Sequence, residues 1–144
     1  MILVIGGAYQ GKKDWVQGRY RLKESDWTDG DSCSEEDLFR ARAVNRFHLF
    51  VRRSVVEGRD LSDFADTLRE RNPSLIIVKN EIGCGVVPMD PLERKYREQD
   101  GRLSEKLAAH SDTVVRVICG IGQVIKGSGT ADKYCSGIRK GPEG

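Results

Sequence analysis

A glycine-rich turn near the start of the sequence carries the residues best suited to binding phosphate. It directly follows the apolar run at residues 2–5 and reads Gly6-Gly7-Ala8-Tyr9-Gln10-Gly11-Lys12-Lys13. Gly6, Gly11 and Lys12 have the spacing of a P-loop, in which backbone N–H groups surround phosphate oxygens and the lysine reaches the β- and γ-phosphates. We therefore predict that residues 6–13 bind a nucleoside triphosphate, with Lys12 also acting in catalysis.

The loop lacks one P-loop element. The position after the lysine is normally Ser or Thr, whose hydroxyl binds Mg²⁺, whereas this chain has Lys13. A protonated lysine cannot coordinate a metal, so Mg²⁺ would have to be held by the nucleotide, by water or by carboxylates elsewhere, such as Asp29, Asp31 or Glu81. We expect Mg²⁺ with the nucleotide and leave its ligands open. The alternative is a glycine-rich turn that binds nothing.

Glu81 is a second candidate for the nucleotide site. It follows the apolar run at residues 75–78 and precedes a Gly-x-Gly turn. Ligands of open α/β sheets bind at the carboxyl ends of parallel strands, and Glu81 is predicted to stand at such an end. It could orient the nucleotide or a metal-bound water. Alternatively, its carboxylate fixes the turn by accepting local backbone N–H bonds.

Apolar runs and helical patterns alternate along the chain. Continuous apolar runs at 2–5, 75–78 and 114–118 suit strands buried on both faces of a parallel sheet, and the polar stretch at 25–28 is a candidate edge strand. Apolar residues at spacings of three and four predict helices from Ser34 to Gly58, over 61–72 and from Asp90 to about 108. The prediction is a three-layer, P-loop NTPase-like α/β fold whose mainly parallel sheet has helices on both faces.

Composition excludes several classes of protein. The 144 residues include 24 Lys plus Arg against 22 Asp plus Glu, a balance that does not suggest a nucleic-acid partner. No apolar run reaches the ~18 residues of a membrane span, and no signal peptide is evident, so a cytoplasmic location is expected. Cys33, Cys84, Cys119 and Cys135 are too scattered for a zinc site or a disulfide framework. We expect one domain over 1–126 and a glycine-rich, mobile tail over 127–144.

Three segments occur in an order typical of one enzyme family. The first is the strand and loop at 1–13, and the second, at 80–88, reads Asn-Glu-Ile-Gly-Cys-Gly-Val-Val-Pro. The third contains Arg-Lys-Tyr-Arg at 94–97 and Gly-Arg-Leu at 101–103, and a closing strand with Gly-Ile-Gly at 120–122 follows. Over 1–13 and about 75–126 the chain resembles the adenosylcobinamide kinase / adenosylcobinamide-phosphate guanylyltransferase family of cobalamin biosynthesis.

The resemblance implies a transferase that uses one nucleotide site for two reactions, with GTP or ATP as substrate. One reaction phosphorylates the aminopropanol arm of adenosylcobinamide. The other moves GMP from GTP onto that phosphate through a guanylated histidine and releases pyrophosphate. We predict GMP transfer and leave the kinase step open, because no strand ending in an acidic residue is evident between the loop and residue 75. The resemblance also implies a homo-oligomer. The alternatives are a nucleotide-binding or regulatory module without turnover, or an unrelated small P-loop kinase.

His48 is the better candidate for that histidine, since His110 ends a helix among polar residues. A neutral imidazole can attack phosphorus, and Arg46, Arg52 and Arg53 could stabilise the phosphate charge while keeping the ring unprotonated. The alternative is that His48 packs on the apolar face of the helix predicted from Ser34 to Gly58.

Overall fold

The computed structural model describes residues 1–82 and 89–127, which form a six-stranded sheet with helices on both faces. The strands are β1 (Ile2–Gly6), β2 (Trp27–Asp29), β3 (Ala43–Asn45), β4 (Ile76–Asn80), β5 (Thr113–Ile118) and β6 (Ile121–Lys126). Their order is β2-β3-β4-β1-β5-β6, and every pair is parallel except β5 with β6. Because β1 lies between β4 and β5, the glycine-rich loop that follows it lies at the middle of the sheet edge.

The helices are α1 (Lys12–Tyr20), α2 (Glu35–Arg40), α3 (Phe47–Val56), α4 (Phe64–Arg71) and α5 (Pro91–His110). On one face of the sheet, Trp15 and Val16 of α1 pack in a core with Val4 and Val115. The other four helices cover the opposite face, where they contribute Leu38, Phe50, Leu68 and Leu107 to a larger core. The predicted three-layer, P-loop NTPase-like α/β fold is confirmed.

The helix predicted from Ser34 to Gly58 is wrong over its middle. It begins as expected, since the Ser34 hydroxyl accepts the Asp37 N–H while the Asp37 carboxylate accepts the Ser34 N–H. The chain then becomes extended and forms β3. Ala43 and Val44 are fully buried in the cores on opposite faces of the sheet, an arrangement that a strand's alternation provides and one stripe of a helix does not.

Both ends of the sheet refine the prediction. The candidate edge strand exists as β2, and it ends in Asp29. The expectation that no strand before residue 75 ends in an acidic residue is therefore wrong. At the other edge, β6 turns back from β5 as an antiparallel strand. The two later helices are confirmed, and α5 begins with Pro91 at its first position while the Asp90 carboxylate accepts the Leu92 N–H.

Two predicted features fall outside the described residues. The first is the Gly-x-Gly turn at residues 83–88, and the second is the tail from residue 128 onward, so the domain boundary stays a prediction.

In the part of the chain that the structure describes, Cys33 and Cys119 are free thiols. Among the described helices, none combines the length and apolar character needed to cross a membrane.

Candidate nucleotide site

A cavity of about 430 Å³ opens between the glycine-rich loop and the first turn of α3. Its lining comprises residues 8–14, Asn45, Arg46, His48 and Asn80. These residues follow or end β1, β3 and β4, so the cavity occupies the carboxyl edge of the parallel sheet, where α/β proteins bind ligands. The structure thus brings the predicted P-loop and His48, which are more than thirty residues apart in the chain, to one cavity.

Local contacts fix the shape of the loop. A Cβ on Gly6 would lie 2.5 Å from the Val117 carbonyl oxygen of β5, so only glycine fits there. Gly11 has φ +83°, in the left-handed region that favours glycine, and precedes α1 without a side-chain cap. The Gln10 side-chain Oε1 accepts the Cys119 N–H at 2.7 Å, and the Gln10 carbonyl accepts the Gly120 N–H at 2.8 Å. The loop is therefore anchored to the β5–β6 turn, with the start of α1 facing the cavity.

Lys12 is buried at the base of the loop. Its Nζ donates to the Gly7 carbonyl oxygen at 2.6 Å. Burial lowers the pKa of Lys12; the nearby Glu81 carboxylate opposes this, and the Lys79 ammonium adds to it. A bound phosphate would add negative charge beside this ammonium and raise its pKa again. Lys12 is thus positioned to exchange an internal hydrogen bond for one to a phosphate oxygen.

Lys13 and Glu81 are held by other partners. The Lys13 ammonium lies 3.0 Å from Oε2 of Glu24 and 5.6 Å from the centre of the Trp27 ring, although the residue contributes to the cavity lining. The Glu81 N–H donates to the Gly6 carbonyl at 2.8 Å and continues the β1–β4 ladder. Its carboxylate accepts from Arg116 Nε at 3.3 Å. Glu81 lies beside the cavity lining and close to Lys12, rather than in the lining itself.

The side chain of His48 takes the place of a β3 carbonyl as the hydrogen-bond acceptor for the Asn80 N–H of β4. In β4, the Ile76 N–H points towards β3 and donates to the Arg42 carbonyl. Because N–H groups along a strand alternate in direction, the Asn80 N–H, four residues later, also points towards β3. The β3–β4 pairing ends at Val44 with Ile77, too early to reach Asn80. Instead, the Asn80 N–H donates to Nδ1 of His48 at 3.0 Å. The Tyr96 hydroxyl donates to the His48 carbonyl at 3.0 Å and fixes its backbone from α5.

This hydrogen bond determines the tautomer of His48. Because a backbone amide can only donate, Nδ1 must accept, and the neutral ring carries its proton on Nε2. Burial lowers the pKa of His48 from 6.5 to about 4, helped by the positive charges of Lys79, Lys12 and Arg46. The ring is therefore neutral at physiological pH. Attack on phosphorus through Nε2 would first require its proton to leave, so the nucleophilic role of His48 stays a prediction that this tautomer does not favour.

Of the three arginines near His48, Arg46 is the one that lines the cavity. It precedes α3 with φ 54° and ψ 40°, a left-handed conformation uncommon for residues other than glycine and asparagine. Asp29 at the end of β2 holds its guanidinium through two bonds, the Nε–Oδ1 distance being 3.1 Å. Arg52 bonds Glu93 of α5, and Arg53 donates to the carbonyls of Gly30 and Cys33.

The arginines of the third sequence segment lie on α5 and do not line the cavity. Arg94 donates to the Met89 carbonyl at 2.8 Å, and Arg102 pairs with Glu98 one turn earlier.

A buried ion pair behind the cavity was not predicted. Lys79 Nζ lies 2.9 Å from Oδ2 of Asp100 on α5, and both side chains are only 3% exposed. Lys79 Nζ also donates to the Asn80 carbonyl at 3.0 Å, so the pair holds the residue that contacts His48. Burial raises the pKa of Asp100, and the Lys79 ammonium opposes that rise. The signal in the sequence is a lysine at the end of the apolar run at 75–78, where a buried charge requires a partner.

Each carboxylate predicted as a magnesium ligand lies beside an arginine, Asp31 being 3.9 Å from Arg46. Among residues 1–82 and 89–127, no group of three or more His, Cys, Asp or Glu side chains could hold a metal ion. Asp29 is bound to Arg46 and Glu81 to Arg116, while the loop position of the missing hydroxyl is Lys13. The ligands of magnesium therefore stay a prediction.

Comparison with known proteins gives the family. The profile of cobinamide kinase / cobinamide phosphate guanyltransferase matches residues 44–125, more than half of the chain. The chain belongs to this cobinamide kinase and guanyltransferase family. The match begins at β3, so the sequence evidence for a P-loop at 6–13 is independent of it.

Individual relatives of known name match shorter stretches. The chain is 44% identical over 52 residues to the bifunctional adenosylcobalamin biosynthesis protein CobU of Salmonella typhimurium, and 42% identical over 52 residues to that of Escherichia coli. Each match covers 36% of this chain and 29% of the relative. The bifunctional adenosylcobalamin biosynthesis protein CobP of Pseudomonas aeruginosa is 34% identical over 62 residues, covering 43% of this chain and 36% of the relative. The chain thus aligns with about a third of the length of these cobinamide-family proteins.

Proposed function

We propose that this chain transfers GMP from GTP to the phosphate of adenosylcobinamide phosphate. The observation that supports this most directly is one cavity that joins residues 8–13 of the glycine-rich loop to Arg46 and His48 in a chain of the cobinamide family. In the overall reaction, a new bond joins an oxygen of the acceptor phosphate to the α-phosphorus that GTP supplies. The bond from the α-phosphorus to the α,β-bridging oxygen breaks, and its electron pair leaves with pyrophosphate. The products are adenosylcobinamide-GDP and pyrophosphate.

The residues around the cavity suit the negative charge that GTP carries and that develops on the leaving pyrophosphate. Backbone N–H groups at the start of α1 and the Lys12 ammonium would bind the β- and γ-phosphates, which become the leaving pyrophosphate. Arg46, oriented by Asp29, adds positive charge on the other side of the cavity. Because positive charge is already arranged where negative charge develops, little reorganisation is needed during transfer.

The direct experiment measures pyrophosphate release from GTP in the presence of adenosylcobinamide phosphate, with ATP in a parallel reaction. We expect Lys12→Ala to lower kcat/KM for GTP by about a hundredfold or more, since it removes a charge that acts on the transferring phosphates. Lys106→Ala, which removes an exposed lysine of α5, serves as the matched control. Equal rates for wild type and Lys12→Ala would refute the assignment of this loop.

The same preparation tests three further expectations. GTP labelled at the α-phosphate reports whether His48 carries GMP, because an acid-labile label on the protein requires a covalent intermediate. Adenosylcobinamide in place of its phosphate tests the kinase step. Light scattering tests the homo-oligomer.

A nucleotide-binding module without turnover is the second candidate function. It is favoured by Lys13, which occupies the position of the P-loop hydroxyl and is paired with Glu24. This alternative predicts that GTP binds and that pyrophosphate does not form. Calorimetry of GTP binding, done beside the pyrophosphate assay, therefore separates the two functions.

A further inference from the structure

Exposed apolar side chains gather at the edge of the sheet that carries the cavity. Among the described residues, seven large apolar side chains are exposed, and five of them follow or precede the carboxyl ends of strands: Tyr9, Met89, Leu92, Ile118 and Ile121. Tyr9 follows β1, Met89 and Leu92 lie where the chain enters α5, and the two isoleucines flank the β5–β6 turn. Single exposed apolar residues are ordinary on a protein surface, whereas several at one edge indicate a binding surface.

Ile118 and Ile121 form an apolar pair next to the glycine-rich loop. They stand opposite each other across the hairpin and are 44% and 54% exposed. A Cβ on Gly122 would collide with Trp15 of α1, and side chains alternate along a strand, so both isoleucines point to the opposite face of the sheet. The N–H groups of the two residues between them donate to Gln10 of the loop, which holds this end of the hairpin beside the cavity.

Tyr9 connects the isoleucine pair to the cavity. It precedes Gln10, lines the cavity and has a fully exposed side chain. Its φ of 60° lies in the left-handed region, which is uncommon for an aromatic residue. A large ring held in solvent on a strained backbone adds no packing to the fold, so this conformation points to a contact outside the protein. We call Tyr9, Ile118 and Ile121 the apolar rim.

The acceptor of the proposed function is too large for the cavity. The volume of about 430 Å³ is near the lower end of the ~300–1,000 Å³ of small-molecule sites, whose ligands are mostly buried. Adenosylcobinamide phosphate contains a corrin macrocycle and is much larger than GTP. The cavity can take its phosphate-bearing arm, and the macrocycle must then lie outside, against the rim of the cavity.

We propose that the apolar rim binds the corrin macrocycle of the acceptor, while the aminopropanol arm carries its phosphate past Tyr9 into the cavity. The identity of the ligand rests on the proposed function. The placement is the same whether the acceptor takes GMP from GTP or from a guanylated histidine, because it concerns only the macrocycle.

The chemistry of the macrocycle matches this surface. Its broad, flat ring carries methyl groups and uncharged amides at the periphery, so it can cover an aromatic ring and two branched apolar side chains without a charged partner. Gln123 is exposed and lies two residues after Ile121, on the same face of β6. Its amide is suited to hydrogen bonds with the peripheral amides of the corrin.

Substitutions that remove apolar surface and keep backbone preference test the rim. Ile118→Thr and Ile121→Thr retain the branched β-carbon that suits a strand. Tyr9→Asn removes the ring and tolerates the left-handed backbone, whereas Tyr9→Phe keeps the ring. The probe is adenosylcobinamide, whose binding to the full chain without nucleotide is followed by calorimetry and by the absorbance of the corrin. A second probe, N-acetyl aminopropanol phosphate, carries the arm and phosphate without the macrocycle.

We expect each isoleucine variant to weaken adenosylcobinamide binding about threefold to tenfold, and the double variant about tenfold to a hundredfold, as apolar area is lost from the contact. Tyr9→Asn should weaken it about tenfold, and Tyr9→Phe should bind as wild type does. In the isoleucine variants, affinity for GTP and for the arm probe should change less than about twofold. Val56→Thr is the matched control, because Val56 is also 54% exposed and ends α3 far from the cavity. Thermal unfolding of each variant establishes that it is folded.

Three results would overturn the assignment of the rim: no adenosylcobinamide binding by wild type, unchanged affinity in the double isoleucine variant, or an equal loss in Val56→Thr. Light scattering of the double variant identifies the competing occupant. A smaller assembly that still binds adenosylcobinamide as wild type does would assign the rim to a second copy of the chain. Failure of the proposed function is recognised separately, because the binding assay contains no nucleotide. Adenosylcobinamide binding that depends on Ile118 and Ile121, with no pyrophosphate released from GTP, would leave the rim in place and remove the transfer.

Discussion

Acidification from pH 7 to pH 5 should destabilise the wild-type protein more than the His48→Asn variant. In the folded chain, His48 accepts the Asn80 N–H through Nδ1, so protonation of that nitrogen would break the bond and place a charge in a buried position. The cationic neighbours Lys12, Lys79 and Arg46 make this charge still less favourable. In the unfolded chain, His48 titrates with its ordinary pKa near 6.5.

The sign and size follow from the two pKa values. The folded pKa of this base is lowered to about 4, so its contribution to stability is complete above 6.5 and is lost as the pH falls from 6.5 towards 4. The full difference corresponds to about 3 kcal/mol, of which about 2 kcal/mol is lost between pH 7 and pH 5. Carboxylates that titrate over the same range contribute equally to wild type and variant.

The assay is urea unfolding of wild type and His48→Asn at pH 7, 6 and 5. The difference in unfolding free energy between the two proteins should shrink by about 2 kcal/mol as the pH falls. Nitrogen chemical shifts of the His48 ring measure its pKa directly and identify the protonated nitrogen. A difference independent of pH, or a ring that titrates near 6.5, would show that His48 is not buried as a neutral acceptor.

Three other substitutions test the packing around the site. Lys79→Met should lower the free energy of unfolding by about 3 to 5 kcal/mol, because it leaves Asp100 buried without its partner. In urea unfolding, the double variant Lys79→Met with Asp100→Leu should recover most of this loss, and an equal loss in both variants would exclude the ion pair as its cause. Gly6→Ala should destabilise the fold by about 1 to 3 kcal/mol and abolish GTP binding, because its Cβ would meet the Val117 carbonyl oxygen. Gly7→Ala should bind GTP normally, because its Cβ would lie 3.6 Å from the nearest atom, on Gln10, and similar affinities of the two variants in calorimetry would contradict the close approach at Gly6. A Cβ added to Gly101 of α5 would meet no atom of another part of the protein within 4 Å, so Gly101→Ala should raise the unfolding free energy by about 0.5 to 1 kcal/mol. An unchanged or lower melting temperature would be inconsistent with open space at this position.

The sequence was informative wherever local chemistry determines structure. Residues 6–13 could be interpreted because glycine and lysine spacing after an apolar run reports backbone shape and charge together. The long helix α5 and the central strands could be predicted because each carries an extended pattern and, for α5, an Asp-Pro start. These signals lie within a few residues of one another in the chain.

β3 and the contact it allows could not be found in this way. A strand of three residues is too short to show an alternation, and Phe39, Ala43 and Phe47 have helical spacing although they belong to α2, β3 and α3. The bond from Asn80 to His48 spans 32 residues and depends on where β3 ends. The sequence therefore offered His48 as a candidate and gave Asn80 only as the first residue of the segment at 80–88, without relating the two to each other.

The length of β3 determines the chemistry of this site. If β3 continued beside β4, the carbonyl of residue 46 would be the natural partner of the Asn80 N–H, and His48 would need no role in the sheet. Because the chain instead turns left-handed at Arg46 and starts α3, one imidazole nitrogen completes the sheet and the other is free to meet a ligand. The same turn directs the N-terminus of α3 at the P-loop. Because β3 ends early, the turn at Arg46 determines the tautomer of His48 and also places the N-terminus of α3 at the cavity.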